Sequence, residues 1–309
     1  MVSVLLFPGQ GSQKVGMARD LAERFSAARE TLEAIDGTLG VALSRVMWEG
    51  PEDALQQTRN TQPAVLAHSA AVMAVARDRL GEIRGAAGHS LGEYSAYVAA
   101  GTLTVTDGVR LVRHRGELMQ QAGTEHPGAM AAVLGLATEA VEAACRQASR
   151  AGVGVAVAAN LNSPDQTVLS GDPDAVARAG ELCKAAGAKR IVALKVGGAF
   201  HSPLMAPAVG GLKSALDATP FADPGFPVVA NASARPVWSA AEARQELAEQ
   251  LTAPVRWVEC VRALATLAPA ARFVEVGPGT VLGGLLKRIV PEAQYLSLGT
   301  ADQVERFLA

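Results

Sequence analysis

The chain has 309 residues, a formal net charge of −2 and a 49% hydrophobic composition rich in Gly. That length supports one large domain, or a large and a small one with a substantial core. The near-neutral charge argues against a general nucleic-acid binder, and no apolar run approaches the length of a bilayer span.

Val2–Phe7 reads as a first strand, ended by Pro8-Gly9. No basic region precedes it, so it is not read as a signal peptide. The following loop, Pro8-Gly9-Gln10-Gly11-Ser12-Gln13, contains a G-x-G, but Lys14 breaks the dinucleotide fingerprint and no Gly-Lys-Ser/Thr ending makes it a phosphate loop. Helical periodicity runs from Val15 to Ala34. Gln62-Pro63 precedes an apolar helix, Ala64 to Leu80, of the kind that is buried on most sides.

Glu82–Ala87 is a short strand and Glu93–Ala100 a helix. Between them lies Gly88-His89-Ser90-Leu91-Gly92, a G-x-S-x-G pentapeptide. Strand, tight turn at a serine and helix together make a nucleophile elbow. The glycines permit the turn, and the helix aims its first N–H groups at whatever Ser90 attacks. The competing reading is a glycine-flanked serine that caps a helix. Thr106-Asp107 then caps a helix from Gly108 to Gln121.

From Ala129 the order changes. Strand Ala129–Leu136, helix Glu139–Arg150, strands Val153–Leu161 and Gln166–Ser170, helix Asp174–Ala186 and strand Arg190–Val196 form a βαββαβ series, the ferredoxin-like order. It is expected as a small domain over residues 128–197, inserted into a large domain of residues 1–127 and 198–309. The remainder alternates again: helix Pro207–Ala218, strand Val228–Asn231, helices Ala240–Gln250 and Val255–Leu267, strand Arg272–Val276 and helix Val281–Ile289. The fold class is therefore α/β, with a mainly parallel sheet covered on both faces.

A serine nucleophile needs a base. Of the five histidines, His68 lies in an apolar helix and reads as a core residue, His114 lies on an Arg-rich helix, and His126 precedes Pro127. His89 adjoins the elbow but is aimed away from it. His201, on a loop after a strand, is the best placed. Asp107, Asp165, Asp172 and Asp174 are available as a third member, but the first and last look like caps and the others like turn residues. A backbone carbonyl orienting the histidine is at least as good. For an oxyanion hole the elbow offers the Leu91 amide, and the loop after the first strand offers that of Gln10. Among Arg113 and Arg115, one can turn toward the apolar side of its helix, where it needs an anion such as a substrate carboxylate. Cys145, Cys183 and Cys260 are widely spaced, which indicates neither a disulfide framework nor a zinc site.

Phe7-Pro8-Gly9-Gln10-Gly11-Ser12-Gln13, Thr61-Gln62-Pro63-Ala64, Gly88-His89-Ser90-Leu91-Gly92-Glu93-Tyr94, Arg115-Gly116, Gly198-Ala199-Phe200-His201-Ser202, Pro254-Val255-Arg256-Trp257 and Glu275-Val276-Gly277-Pro278-Gly279 occur in this order. Together they resemble the malonyl-CoA:acyl-carrier-protein transacylases of bacterial fatty-acid synthesis, and the resemblance spans essentially the whole chain. It implies a hydrolase-like core with a ferredoxin-like insert. It implies Ser90 as the acylated nucleophile, His201 as its base, and Gln10 and Leu91 amides as the oxyanion hole. Arg115 would pair with the malonyl carboxylate, Gln250 would offer a backbone carbonyl to the histidine, and Gln62 and Asn162 would line the cleft. Phe200 resembles the malonyl-selective form of related polyketide acyltransferases.

The expected reaction moves malonyl from coenzyme A to the phosphopantetheine thiol of an acyl carrier protein. Malonyl-CoA and CoA are substrate and product, with no permanently bound cofactor and no metal. The protein is expected to be a cytoplasmic monomer without nucleic-acid or membrane partners. The alternatives are a stand-alone malonyl acyltransferase of a polyketide synthase, a serine thioesterase or esterase, and a non-catalytic carrier-binding subunit.

Overall fold

The computed structural model describes residues 2–152 and 154–309. Its strands are β1 (Val2–Phe7), β2 (Glu82–Gly88), β3 (Ala129–Leu134), β4 (Ala156–Ser163), β5 (Gln166–Gly171), β6 (Arg190–Ala193), β7 (Val228–Val229), β8 (Pro236–Val237), β9 (Arg272–Val276) and β10 (Tyr295–Leu298). They form a six-stranded sheet in the order β10-β9-β1-β2-β7-β8 and a four-stranded sheet in the order β4-β5-β3-β6. The first is parallel except for the β7–β8 pair. The second is antiparallel.

The apolar run of β1 follows from its central place. Val4 to Phe7 are fully buried because both faces of the sheet are covered. Leu5 and Phe7 face one layer with the helix Thr58–Ala76, while Val4 and Leu6 face the other with the helices Trp257–Leu267 and Val281–Ile289. The second sheet divides its residues in the same way. Ala131, Val133 and Leu169 pack under the helices Thr138–Arg150 and Pro173–Ala185, whereas Met130, Ala132 and Val168 join the main core. Val255 links the second sheet to the core beside β1: it donates to Ala159 O at 2.8 Å and accepts from Leu161 N at 2.9 Å, while its side chain packs with Val4, Leu6 and Val229.

Several elements differ from the sequence expectation. The helix expected over Val15–Ala34 is two helices, Arg19–Arg24 and Ser26–Leu39. Phe25 between them is extended, with φ −128° and ψ 119°, and its side chain packs on the core. The helix expected from Ala64 begins at Thr58 and carries Pro63 within it. Pro63 has no N–H for the Arg59 carbonyl, and Arg113 Nη1 donates to that carbonyl at 3.3 Å instead. The cap of the next helix, Val105–Glu125, is Thr104 rather than Thr106-Asp107; its Oγ1 accepts from Asp107 N at 3.0 Å. The strand expected from Val153 begins at Ala156, and Val153 itself lies outside the described residues. The strands expected to end at Val196 and Asn231 stop at Ala193 and Val229. No helix among the described residues is long and apolar enough to cross a membrane.

Candidate active site

Parallel pairing of β1 with β2 sets Phe7 opposite Gly88. The loop after β1 and the turn after β2 therefore leave the sheet side by side at its carboxyl edge, where open α/β sheets hold ligands. The approach is close: a Cβ on Gly9 would lie 2.4 Å from His89 O, and one on Gly88 would lie 1.9 Å from Gly92 C. Only glycine fits at either position. Ser90 sits at the apex with φ 53°, a left-handed conformation that the surroundings must hold in place.

Ser90 Oγ lies 2.7 Å from His201 Nε2. His201 Nδ1 faces two acceptors, Gln250 O at 3.0 Å and Ala253 O at 3.2 Å. A carbonyl can only accept, so Nδ1 carries the ring proton and the Nε2 lone pair is turned to the serine. Burial, and then the Arg115 charge, push the His201 pKa down to about 3. The ring is thus neutral near pH 7, with its Nε2 lone pair directed at the Ser90 hydroxyl. Among the described residues, no acid completes a triad. Asp107 bonds Thr104, Asp165 bonds Ser163 and Arg288, and Asp172 rather than Asp174 is the N-cap residue of its helix.

Arg115 is the inward-turning arginine, only 1% exposed on the face of its helix that carries Val112 and Met119. Its Nη1 donates to Gln62 Oε1 at 2.8 Å, and its Nη2 to Gln250 Oε1 at 2.9 Å and Ser90 Oγ at 3.1 Å. The guanidinium carbon stands 5.7 Å over the Tyr94 ring. None of these partners carries a charge, so the site holds a buried cation within reach of the serine. Arg113 instead pairs with Glu117 at the surface and braces Asn60.

The Gln10 and Leu91 amides make no backbone or side-chain hydrogen bond among the described residues, so both remain free to donate. The loop that carries Gln10 is held by Ser12 Oγ donating to Gly9 O at 2.6 Å and Gly11 N donating to Gln13 Oε1 at 2.7 Å. A cleft of about 450 Å³ runs beside it, lined by Gln10, His89, Asn162, Lys195 and Leu285 among others. His89 is turned from the serine, its Nε2 2.8 Å from Asn162 Oδ1. Phe200 is buried next to His201, and His68 is a core residue bonded to Gly299 O at 2.8 Å.

Two residues escaped the sequence reading. Asn231 Oδ1 accepts from Ser90 N at 2.7 Å and its Nδ2 donates to Gly88 O at 2.8 Å. Glu93, fully buried, accepts from Asn231 N at 2.9 Å and Gln250 Nε2 at 2.8 Å. Burial pushes the Glu93 pKa up to about 7 against the pull of those bonds. Their signals were a polar residue just past a short strand and an acid inside an apolar helix. Among the described residues, no group of three His, Cys, Asp or Glu side chains is placed to hold a metal.

Comparison with known proteins gives the same outline. The acyl transferase domain model matches residues 4–301. Malonyl CoA-acyl carrier protein transacylase of Bacillus subtilis is 42% identical over 300 residues, which is 97% of this chain and 94% of that protein. An acyl carrier protein S-malonyltransferase from Vibrio cholerae superposes with a TM-score of 0.92 at 41% identity, covering 98% of this chain and 99% of the other. A malonyl-transacylase solved in complex with its type II PKS acyl-carrier protein gives 0.95 at 40% identity, covering 100% and 99%. The chain belongs to the acyl transferase domain family and, within it, to the malonyl CoA-acyl carrier protein transacylases.

Proposed function

We propose that this acyltransferase carries malonyl from malonyl-CoA to the phosphopantetheine thiol of an acyl carrier protein, through an ester on Ser90. The observation that carries the reading is the buried Arg115, whose Nη2 stands 3.1 Å from Ser90 Oγ and whose direct hydrogen-bond partners are all uncharged. A free carboxylate on the acyl group would bond the guanidinium directly, which Glu93, linked to it only through Gln250, does not. Burying that carboxylate without a cation would be costly.

In the first half-reaction Ser90 Oγ attacks the thioester carbonyl while His201 Nε2 takes the hydroxyl proton. Gln10 and Leu91 amides stabilise the oxyanion. The C–S bond breaks, and the proton on His201 passes to the departing CoA sulfur. In the second half, the carrier thiol gives its proton to His201, attacks the ester, and releases Ser90 Oγ, which recovers the proton. Gln250 O holds the imidazole, Asn162 lines the cleft, and the buried Gln62 and Phe200 back Arg115 and His201.

The antiparallel β3–β6 sheet has the strand order and the two covering helices of a ferredoxin-like fold. That supports an insert over 128–197 in a hydrolase-like domain of 1–127 and 198–309. We read the protein as a cytoplasmic monomer with no resident cofactor. The likeness to a malonyl-transacylase solved with a type II PKS acyl-carrier protein keeps a polyketide carrier as the second reading; a thioesterase for neutral acyl groups would have no use for Arg115.

The test is incubation with malonyl-CoA followed by intact-mass and peptide analysis, then addition of holo carrier protein. A malonyl adduct on Ser90 that the carrier removes is expected. An adduct elsewhere, or one lost only to water, rejects the reading.

A further inference from the structure

Glu93 lies in the first turn of the helix after the elbow, yet it is fully buried and touches neither Ser90 Oγ nor His201. Its Oε2 collects two donors, Asn231 N at 2.9 Å and Gln250 Nε2 at 2.8 Å. Its Oε1 has no partner among the described residues. Those two donors belong to the residues that grip the nucleophile's backbone from both sides. Asn231 Oδ1 takes the Ser90 N–H at 2.7 Å, and Gln250 Nε2 also donates to Ser90 O at 2.9 Å. The rest of Gln250 serves the other parts of the site. Its backbone O receives His201 Nδ1 at 3.0 Å, and its Oε1 receives Arg115 Nη2 at 2.9 Å.

Glu93 Oε2 accepts from both N–H donors, and any proton the carboxyl carries would sit on the unpartnered Oε1, so Glu93 fixes which end of the Gln250 amide faces it. The NH₂ must point to Glu93, which turns Oε1 to the guanidinium. A flipped amide would set an NH₂ against Arg115 and an oxygen against a carboxylate, leaving buried donors and acceptors unmatched. Ser90 has φ 53°, a conformation that persists only where neighbours over-determine it.

Resting on the Ser90–His201–Arg115 reading above, we propose that Glu93 is a positioning residue for acyl transfer: through Asn231 and Gln250 it holds the strained elbow, the histidine's acceptor and the orientation of Arg115. Its effect on rate is therefore transmitted through Gln250 and Asn231 rather than through substrate contact.

The test measures single-turnover acylation by malonyl-CoA and by acetyl-CoA, per folded enzyme, for wild type, Glu93→Ala, Glu93→Gln, Gln250→Ala and the Glu93→Ala/Gln250→Ala pair. Glu93→Ala should slow malonyl acylation by about 30-fold or more and lower the malonyl-to-acetyl ratio. Adding Gln250→Ala to it should cost less than about threefold further, because the amide is already unfixed. Glu93→Gln, which keeps an oxygen for both donors, should recover about tenfold of the loss. If Glu93→Ala does not fold, Glu93→Asp, which keeps the charge but not the reach, takes its place in the cycle. Losses that multiply in the pair, a wild-type rate in Glu93→Ala, or an unchanged acyl ratio would overturn the proposal. Wild type left unacylated at Ser90 would instead reject the parent reading.

Discussion

Ser90 Oγ and His201 Nε2 meet at 2.7 Å, and both residues hold left-handed backbone, with φ 53° and 56°. Neither is a glycine, so each conformation costs about 1 kcal/mol or more that packing and hydrogen bonds must offset. Ser90 is held by Asn231 and Gln250, and His201 by two carbonyls.

That pairing predicts separate losses. Ser90→Ala should abolish malonyl attachment, read by intact mass. His201→Ala should slow acylation by about 10³-fold, within the range for removal of a general base, while circular dichroism stays native. Malonyl still attached to Ser90→Ala would place the nucleophile elsewhere.

The carrier surface gives a second prediction. The family resemblance implies an acidic acyl carrier, and a nearly neutral enzyme needs a local basic face to attract one. Lys184, Lys189, Arg190, Lys195, Lys287 and Arg288 are exposed. Arg288 is already engaged with Asp165, whereas Lys195 lines the cleft. Charge reversal at Lys184, Lys189, Arg190 and Lys287 should weaken transfer to the carrier by about tenfold and flatten its salt dependence. Acylation by malonyl-CoA should be spared. Equal losses in both half-reactions would reject this face.

Much of this architecture was legible in the residues. An apolar run ended by Pro8-Gly9 marks β1, glycine turns close β2 and β9, and the spacing of Gly88, Ser90 and Gly92 marks the elbow. The break at Phe25 was not legible, because apolar periodicity continues across it and only packing on the core shows that the backbone extends there. β10 and the helix Ala301–Leu308 carry too short a pattern to stand out. Within the site, the motifs identify Ser90, His201 and Arg115. They do not say that Glu93 meets Asn231 and Gln250, pairs 138 and 157 residues apart in sequence. Such meetings depend on how strand ends converge, which local periodicity does not encode.

His68 gives a prediction for pH. It is buried, bonded to Gly299 O, and its pKa is pushed down by burial from 6.5 to about 4. The unfolded chain therefore binds this proton more tightly. The stability gained by keeping the ring neutral is present above pH 6.5 and is lost as pH falls through 4, on the order of 3 kcal/mol over that window. His68→Gln can still donate to Gly299 O and has no such proton. Urea unfolding at pH 4, 5, 6 and 7 should show a shallower acid decline in the variant. Parallel declines would mean that His68 does not set this slope.

Arg115 tests substrate choice. Malonyl differs from acetyl by a carboxylate, and a guanidinium can meet it with two parallel charge-assisted hydrogen bonds. At rest, Nη1 and Nη2 are occupied by Gln62 and Gln250 oxygens, and Nε has no partner among the described residues. Burial holds the guanidinium below its ordinary pKa, a sign of an under-compensated cation. A malonyl carboxylate relieves that cost, whereas acetyl leaves it in place. Arg115→Ala should therefore lower malonyl acylation by about 10²-fold or more, since each bond to a charged partner is worth about 1.5–3 kcal/mol. Acetyl should lose far less, so the malonyl-to-acetyl ratio swings toward acetyl even if both rates fall. Arg115→Lys should recover little, because an ammonium offers a point charge in place of a fork. The measurement is acylation of each variant by both thioesters under single-turnover conditions. An unchanged ratio would make Arg115 a structural residue and move the search for the carboxylate's partner to Arg113.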